Sequence, residues 1–131
     1  MTHEQLASFR LSLEDLLAET TANVDRINHS IRDVVPSCAD DNDRATLEAE
    51  RRMLLLQADR ERRLKREILL AFHRMDLGDY GFCESCGEAI DMRRLDVHPA
   101  ARMCVQCMRE IERGMEMDWA RAGAGYGRVW G

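Results

Sequence analysis

Two runs of apolar residues, spaced by alternating threes and fours, leave this chain few folds to choose from. The first reads Leu6, Phe9, Leu13, Leu17, Thr20, Val24, Ile27, Ile31 and Val34, a heptad seam with one stutter near Leu17. The second reads Leu47, Leu54, Ala58, Glu61, Leu64, Ile68, Ala71 and Met75 and is weaker around Ala58 and Glu61. Pro36 cannot continue a helix and biases Val35 away from helical angles. The second helix is expected to open after Asp43, and Gly78 stands where a C-cap belongs. Each helix then runs about 32 residues, or roughly 48 Å at 1.5 Å per residue. Equal helices joined by a short connector predict a mainly α fold: an antiparallel coiled-coil hairpin over residues 1–78 with its tip at 36–43.

Charge follows the same division. Residues 1–35 hold three Arg against six acids, residues 36–43 hold three Asp and no base, and residues 44–78 hold nine bases against six acids. Opposite fields on the two helices favour their antiparallel pairing. Charged residues make up 33% of the 131, above the roughly 25% of ordinary globular chains, and only seven residues are aromatic. Such a composition suits long solvated helices better than one large core. The net charge of −5 argues against a sequence-independent nucleic-acid binder. No apolar stretch approaches the ~18 residues of a membrane span. The opening Met-Thr-His-Glu-Gln has neither a basic region nor an apolar one, so no secretory signal is expected and a reducing, cytoplasmic setting follows.

That setting decides how the five cysteines are read. A disulfide framework is not expected in a reducing compartment, which leaves metal binding as the leading use. Cys83-x2-Cys86 and Cys104-x2-Cys107 stand 17 residues apart, within the range of a four-thiolate zinc site. Each Cys-x-x-Cys turn offers two sulfurs along one edge of a tetrahedron, and a second turn brought back by a hairpin completes it. Gly81 and Gly87 flank the first turn, where positive φ is convenient. Four thiolates leave the metal no open position, so one structural Zn2+ is expected and no catalytic role. An iron ion in the same cage or a redox dithiol is the lesser alternative. His98 lies between the turns as a surface or packing residue, and Cys38 is read as an incidental free thiol. The finger and a helix over about Val105–Ala120 form a second unit, 79–121. The glycine-rich remainder, 122–131, is read as a disordered tail in which Tyr126 and Trp130 could still dock.

An acidic-tipped hairpin followed by a four-cysteine finger resembles the DksA/TraR family of bacterial RNA polymerase secondary-channel regulators. The match runs from about Gln5 to Arg113. At the tip, Asp40, Asp43 and Ala45 are similar to the family's Asp-x-x-Asp-x-Ala pattern. In the finger the likeness is carried by Tyr80-Gly81-x-Cys83-x-x-Cys86-Gly87 and by Arg94-Leu95 ahead of Pro99-x-Ala101. The resemblance implies a non-enzymatic factor that binds RNA polymerase, not promoter DNA, and is a monomer. Its hairpin would enter the channel through which nucleotides reach the active centre and alter promoter-complex stability. Asp40 and Asp43 would act near the catalytic magnesium, and Ala45 would permit close approach. Arg60, Arg93 and Arg94 are candidate polymerase contacts. The bland reading of the tip is capping, because Asp and Asn are favoured N-caps and Asp43 or Asn42 suits that place.

Two departures from the family pattern qualify the expectation. Members often act with the alarmone ppGpp, held by basic residues near the finger end of the hairpin. Aligned without gaps from tip to finger, the corresponding positions hold Glu67, His98 and Met108, while Arg60 and Arg94 keep basic character. Glu67 would repel a polyphosphate and Met108 offers it no charge, so weak or absent ppGpp cooperation is expected. The chain also begins almost directly on the first helix, so the extra N-terminal segment of longer members is expected to be missing. The base of the hairpin is then left to the finger and the last helix, packed with Leu6 and Phe9. Two other functions compete. A Gre-type transcript-cleavage factor also carries an acidic-tipped hairpin, but with a β-rich domain in place of the finger. A zinc-finger DNA binder would use Arg93, Arg94 and Arg102, whose field Glu88, Asp91 and Asp96 dilute.

Overall fold

The computed structural model describes residues 1–34 and 41–122, with side chains over 1–34 and 43–116. Cys38, Asp40, Tyr126 and Trp130 lie outside the described residues, as do most of the expected tip and tail. Helix α1 spans His3–Asp33 and α2 spans Asp41–Leu77. Two shorter helices follow in the finger region, α3 over Met92–Val97 and α4 over Val105–Ala122. No strand occurs among the described residues; an isolated antiparallel bridge joins Phe82 and Ala89.

The ends of the long helices follow from local chemistry. The Thr2 hydroxyl accepts the Gln5 N–H at 3.2 Å, and the Gln5 side chain accepts the Thr2 N–H at 2.8 Å. This reciprocal capping box satisfies two donors that a helix start leaves open. Helix α2 opens at Asp41, three residues before the expected place, so Asn42 and Asp43 lie inside its first turn and neither is its cap. Acids in a first turn are stabilised by the helix dipole, which makes that extension favourable. At the other end Gly78, at φ +79°, donates to the Met75 carbonyl, and Asp79 donates to the Arg74 carbonyl at 2.8 Å. Those two bonds form a Schellman motif and confirm the expected stop.

The helices run antiparallel: Arg10 reaches Asp76 near one end, and Asn28 accepts from Arg62 further along. Every seam residue faces inward, with Phe9, Leu13, Thr20, Ala58, Ile68, Ala71 and Met75 buried and the others partly covered. Burial is deepest at the finger end. There Phe9, Leu13, Ile68, Ala71 and Met75 share one continuous core with Tyr80, Ile90, Leu95, Ala100 and Ala101 of the finger. The Phe9 and Tyr80 rings meet at 5.9 Å with a 53° tilt, within the centroid range of interacting aromatic pairs.

Two expectations about the finger end are corrected. A short helix, α3, and not a hairpin carries the chain from the first pair of cysteines toward the second. The Asp91 carboxylate accepts the Arg93 N–H at 2.9 Å and starts that helix, and Leu95 anchors it in the core. The described side chains of α4, for their part, do not cover the base of the hairpin. Cys107 is buried at the start of α4, but every side chain from Arg109 to Glu116 is exposed. Met108, Ile111 and Met115 fall on one face of the helix at helical spacing, yet Ile111 and Met115 stay exposed, so that face does not pack on the hairpin. Finger residues and the hairpin's own start supply that packing instead.

Candidate metal centre and hairpin tip

The Sγ atoms of Cys83, Cys86, Cys104 and Cys107 all lie within 4.8 Å of one another, and those of Cys86 and Cys104 are 3.9 Å apart. A tetrahedron with Zn–S bonds of about 2.3 Å has an edge of ~3.8 Å, which the Cys86–Cys104 pair matches, and the other sulfurs lie close enough to complete a four-sulfur cage. Both turns are built alike. Gly87 N–H donates to the Cys83 carbonyl at 3.0 Å and Met108 N–H to the Cys104 carbonyl at 3.1 Å. Backbone N–H groups also point at sulfur, from Ser85 to Cys83 and from Cys107 to Cys104, each at 3.4 Å. Gly81 and Gly87 take φ of +89° and +76°, as the turn was expected to need. His98 is not among the clustered donors and closes α3 by donating its N–H to the Arg94 carbonyl at 2.8 Å.

The electrostatics of the four sulfurs suit a cation. Burial opposes ionisation of Cys83, but backbone N–H groups aimed at its sulfur outweigh it and draw its pKa down to about 6. Cys107 is driven the other way, to about 12, by hydrogen bonding to the Cys104 and Cys83 sulfurs and by burial. One thiolate forms readily, whereas four at this spacing need a metal to share their charge. The donor set is complete and soft, which suits Zn2+ in a structural role and leaves no coordination position for a substrate.

Sequence reasoning missed Arg74. This arginine is only 8% exposed, in the last turn of α2, and its guanidinium donates to the backbone carbonyls of Asp79, Phe82 and Arg102. Its Nη1 also lies 3.9 Å from the Glu84 carboxylate, which Arg102 approaches from the other side. Two of the three carbonyls belong to the segments that deliver Cys83 and Cys104. No sequence signal marks such a residue, because its partners are main-chain atoms that any residue supplies.

The remaining predicted residues are spread along the molecule. Asp43 and Ala45 are exposed in the first turns of α2, at the end of the hairpin far from the cysteines. Arg60 is exposed midway along α2, and Arg93 is exposed on α3. Arg94 works within the finger, where its Nε donates to the Met103 carbonyl at 3.1 Å. Glu67 shares a shallow hollow with Arg63, Arg66 and Arg102, one carboxylate among three guanidiniums. His98 lines a separate groove with Asp15 and Glu19 of α1. Met108 is half-buried. No described helix is long and apolar enough to cross a membrane.

Comparison with known proteins agrees with this architecture. Residues 5–75 match the model of the DnaK suppressor protein DksA N-terminal domain, and residues 78–113 match the prokaryotic dksA/traR C4-type zinc finger. The RNA polymerase-binding transcription factor DksA of Haemophilus influenzae is 36% identical over 82% of this chain and 74% of its own length. Its Escherichia coli K12 counterpart is 37% identical over 82% and 71%. Among solved structures, transcription factor DksA2 from Pseudomonas aeruginosa superposes with a TM-score of 0.76 at 31% identity, covering 88% of this chain and 89% of that one. The helical hairpin, the four-sulfur cage behind it and these likenesses agree, and the chain belongs to the DksA family, with a C4-type finger for one structural zinc.

Proposed function

We propose that this protein is a non-enzymatic regulator of transcription that binds bacterial RNA polymerase in the cytoplasm as a monomer. In this reading its hairpin passes into the secondary channel and Asp40 and Asp43 act near the active centre, altering the lifetime of promoter complexes. The observation that carries it is the separation of two unlike ends. Helix α2 is 37 residues long, about 55 Å at 1.5 Å per residue. It is anchored in the finger's core at one end and presents exposed Asp43 and Ala45 at the other. A narrow rod of that length reaches a site a globular protein cannot enter, and acids at its tip interact with a cation-rich centre. Arg60 and Arg93 are exposed and available as wall contacts. Names carried by relatives across most of their length, RNA polymerase-binding transcription factor, support the same partner.

The deciding experiment measures polymerase binding and promoter-complex lifetime for the wild type and for Asp40→Asn/Asp43→Asn. The double variant is expected to bind with little loss and to leave the lifetime near that of polymerase alone. A lifetime shifted as by the wild type removes the tip from the mechanism. Cooperation with ppGpp is expected to be weak, because the His98 groove is lined by Asp15 and Glu19 and Glu67 places a carboxylate among the nearby arginines. Transcription from a sensitive promoter with and without ppGpp reads this directly. Strong synergy would refute it and direct attention to Arg63, Arg66 and Arg102.

A further inference from the structure

Arg74 carries a full charge in a place where almost no water reaches it, and the way it is matched is unusual. Its nearest carboxylate, Glu84, stands 3.9 Å away and is itself 38% exposed, a weak counter-charge. The guanidinium is satisfied chiefly by carbonyl oxygens, those of Asp79 at 3.2 Å, Arg102 at 3.4 Å and Phe82. Phe82 directly precedes Cys83, and Arg102 stands two residues ahead of Cys104. The carbonyl of Arg102 also accepts the Glu84 N–H at 2.9 Å, so the two segments are joined to each other as well as to the arginine. The carbonyl of Arg74 in turn accepts the N–H groups of Asp79 and Tyr80, where the chain leaves α2. One residue therefore touches the end of the hairpin and both arms of the cysteine cage.

The geometry points to Arg74 as a positioning residue for the zinc site, which sets the spacing of the two cysteine arms and couples metal occupancy to the end of α2. A rigid fork of donors fixes the relative place of several acceptors, which a single ammonium group cannot do. Residues behind the ligands that orient them typically change metal affinity by about 10–100-fold when removed. Coupling of this kind is reciprocal: if Arg74 tightens zinc binding by some factor, zinc stabilises the arrangement around Arg74 by the same factor. The inference rests on the metal centre alone and holds whatever the hairpin does at polymerase.

The test uses the full, zinc-loaded chain and two readouts. Zinc affinity, measured by competition with a chromogenic chelator, is expected to fall about 10–100-fold in Arg74→Met. Arg74→Lys, with charge but no fork, falls between that variant and the wild type, and Glu84→Gln, which leaves every carbonyl contact in place, changes affinity less than about threefold. Amide hydrogen exchange supplies the second readout. In the wild type, chelation exposes the last turn of α2 and residues 79–82, whereas in Arg74→Met the same amides exchange fast even with zinc bound. If Arg74→Met does not fold, Arg74→Lys decides alone, by an affinity loss matched by faster exchange at 74–82. Wild-type zinc affinity in a folded Arg74 variant overturns the proposal. So does protection at the end of α2 that chelation leaves unchanged.

Discussion

Tyr80 shows how one side chain can tie three segments together. Its ring packs on Phe9 of α1, its backbone N–H closes the end of α2, and its hydroxyl donates to the Pro99 carbonyl at 2.7 Å. Burial raises its pKa from 10.0 to about 12, although the nearby Arg74 charge pulls the other way. The sign of the consequence follows from which state holds the proton. Between pH 10 and 12 the unfolded chain gives up the phenolic proton while the folded one keeps it, so folding is favoured below that window and loses the advantage as pH rises through it. Denaturant titrations of the zinc-loaded protein should therefore show stability declining over that range more steeply in the wild type than in Tyr80→Phe. At neutral pH the variant should be less stable by about 1 kcal/mol, the value of one buried hydrogen bond. Parallel pH profiles for the two proteins would assign the alkaline loss to another group.

At the scale of elements, the end of α2 isolates a backbone effect. A Cβ built on Gly78 meets no atom within 4 Å, yet the residue sits at φ +79°. Gly78→Ala should then cost about 1 kcal/mol from conformation alone, with Gly78→Asn costing less, since Asn tolerates the left-handed region. Thermal melts of the two variants check this, and equal stability of Ala and Gly would show that the Schellman turn adds nothing. The same element shows what a sequence can carry. Seam positions such as Leu13 and Ile68 were legible because helical geometry turns spacing into a face, and Gly78 because few residues accept its φ. The Thr2-x-x-Gln5 box is equally legible, a hydroxyl cap with an amide side chain three residues on. Other features rest on balances that spacing does not encode. The start of α2 at Asp41 depends on dipole stabilisation of a run of polar residues, any of which makes an acceptable first residue. Helix α3 fills a span whose composition also allowed a hairpin. Arg74 was hidden for a different reason: its partners Asp79, Phe82 and Arg102 contribute carbonyls, which sequence does not distinguish.

Across the whole molecule, stability is expected to be graded along the hairpin. Among the described residues the core lies where hairpin and finger meet, and it includes two of the zinc ligands, Cys83 and Cys107. Toward the other end the seam residues Val24, Ile27, Ile31, Leu47 and Leu54 are only partly covered, so each contributes less than a fully buried side chain's roughly 1.5–3 kcal/mol. The opposite overall charges of the two helices favour their approach, but the interhelical pair Arg10–Asp76 joins a base of the acidic segment to an acid of the basic one. Its side chains are 43% and 72% exposed, a setting worth little. Apolar contact therefore carries the hairpin, and it weakens with distance from the finger. Native-state hydrogen exchange should show amides of residues 9–20 and 64–75 opening only with the whole protein. Those of residues 24–33 and 47–54 should open with a free energy lower by about 2 kcal/mol, the cost of covering a few seam side chains by half. Chelating the zinc should raise exchange first in the well-protected group, because that group shares its core with the metal ligands, and should change the outer group little. Uniform exchange along both helices would instead mean that the hairpin opens as one unit, with the finger's core supporting it over its full length.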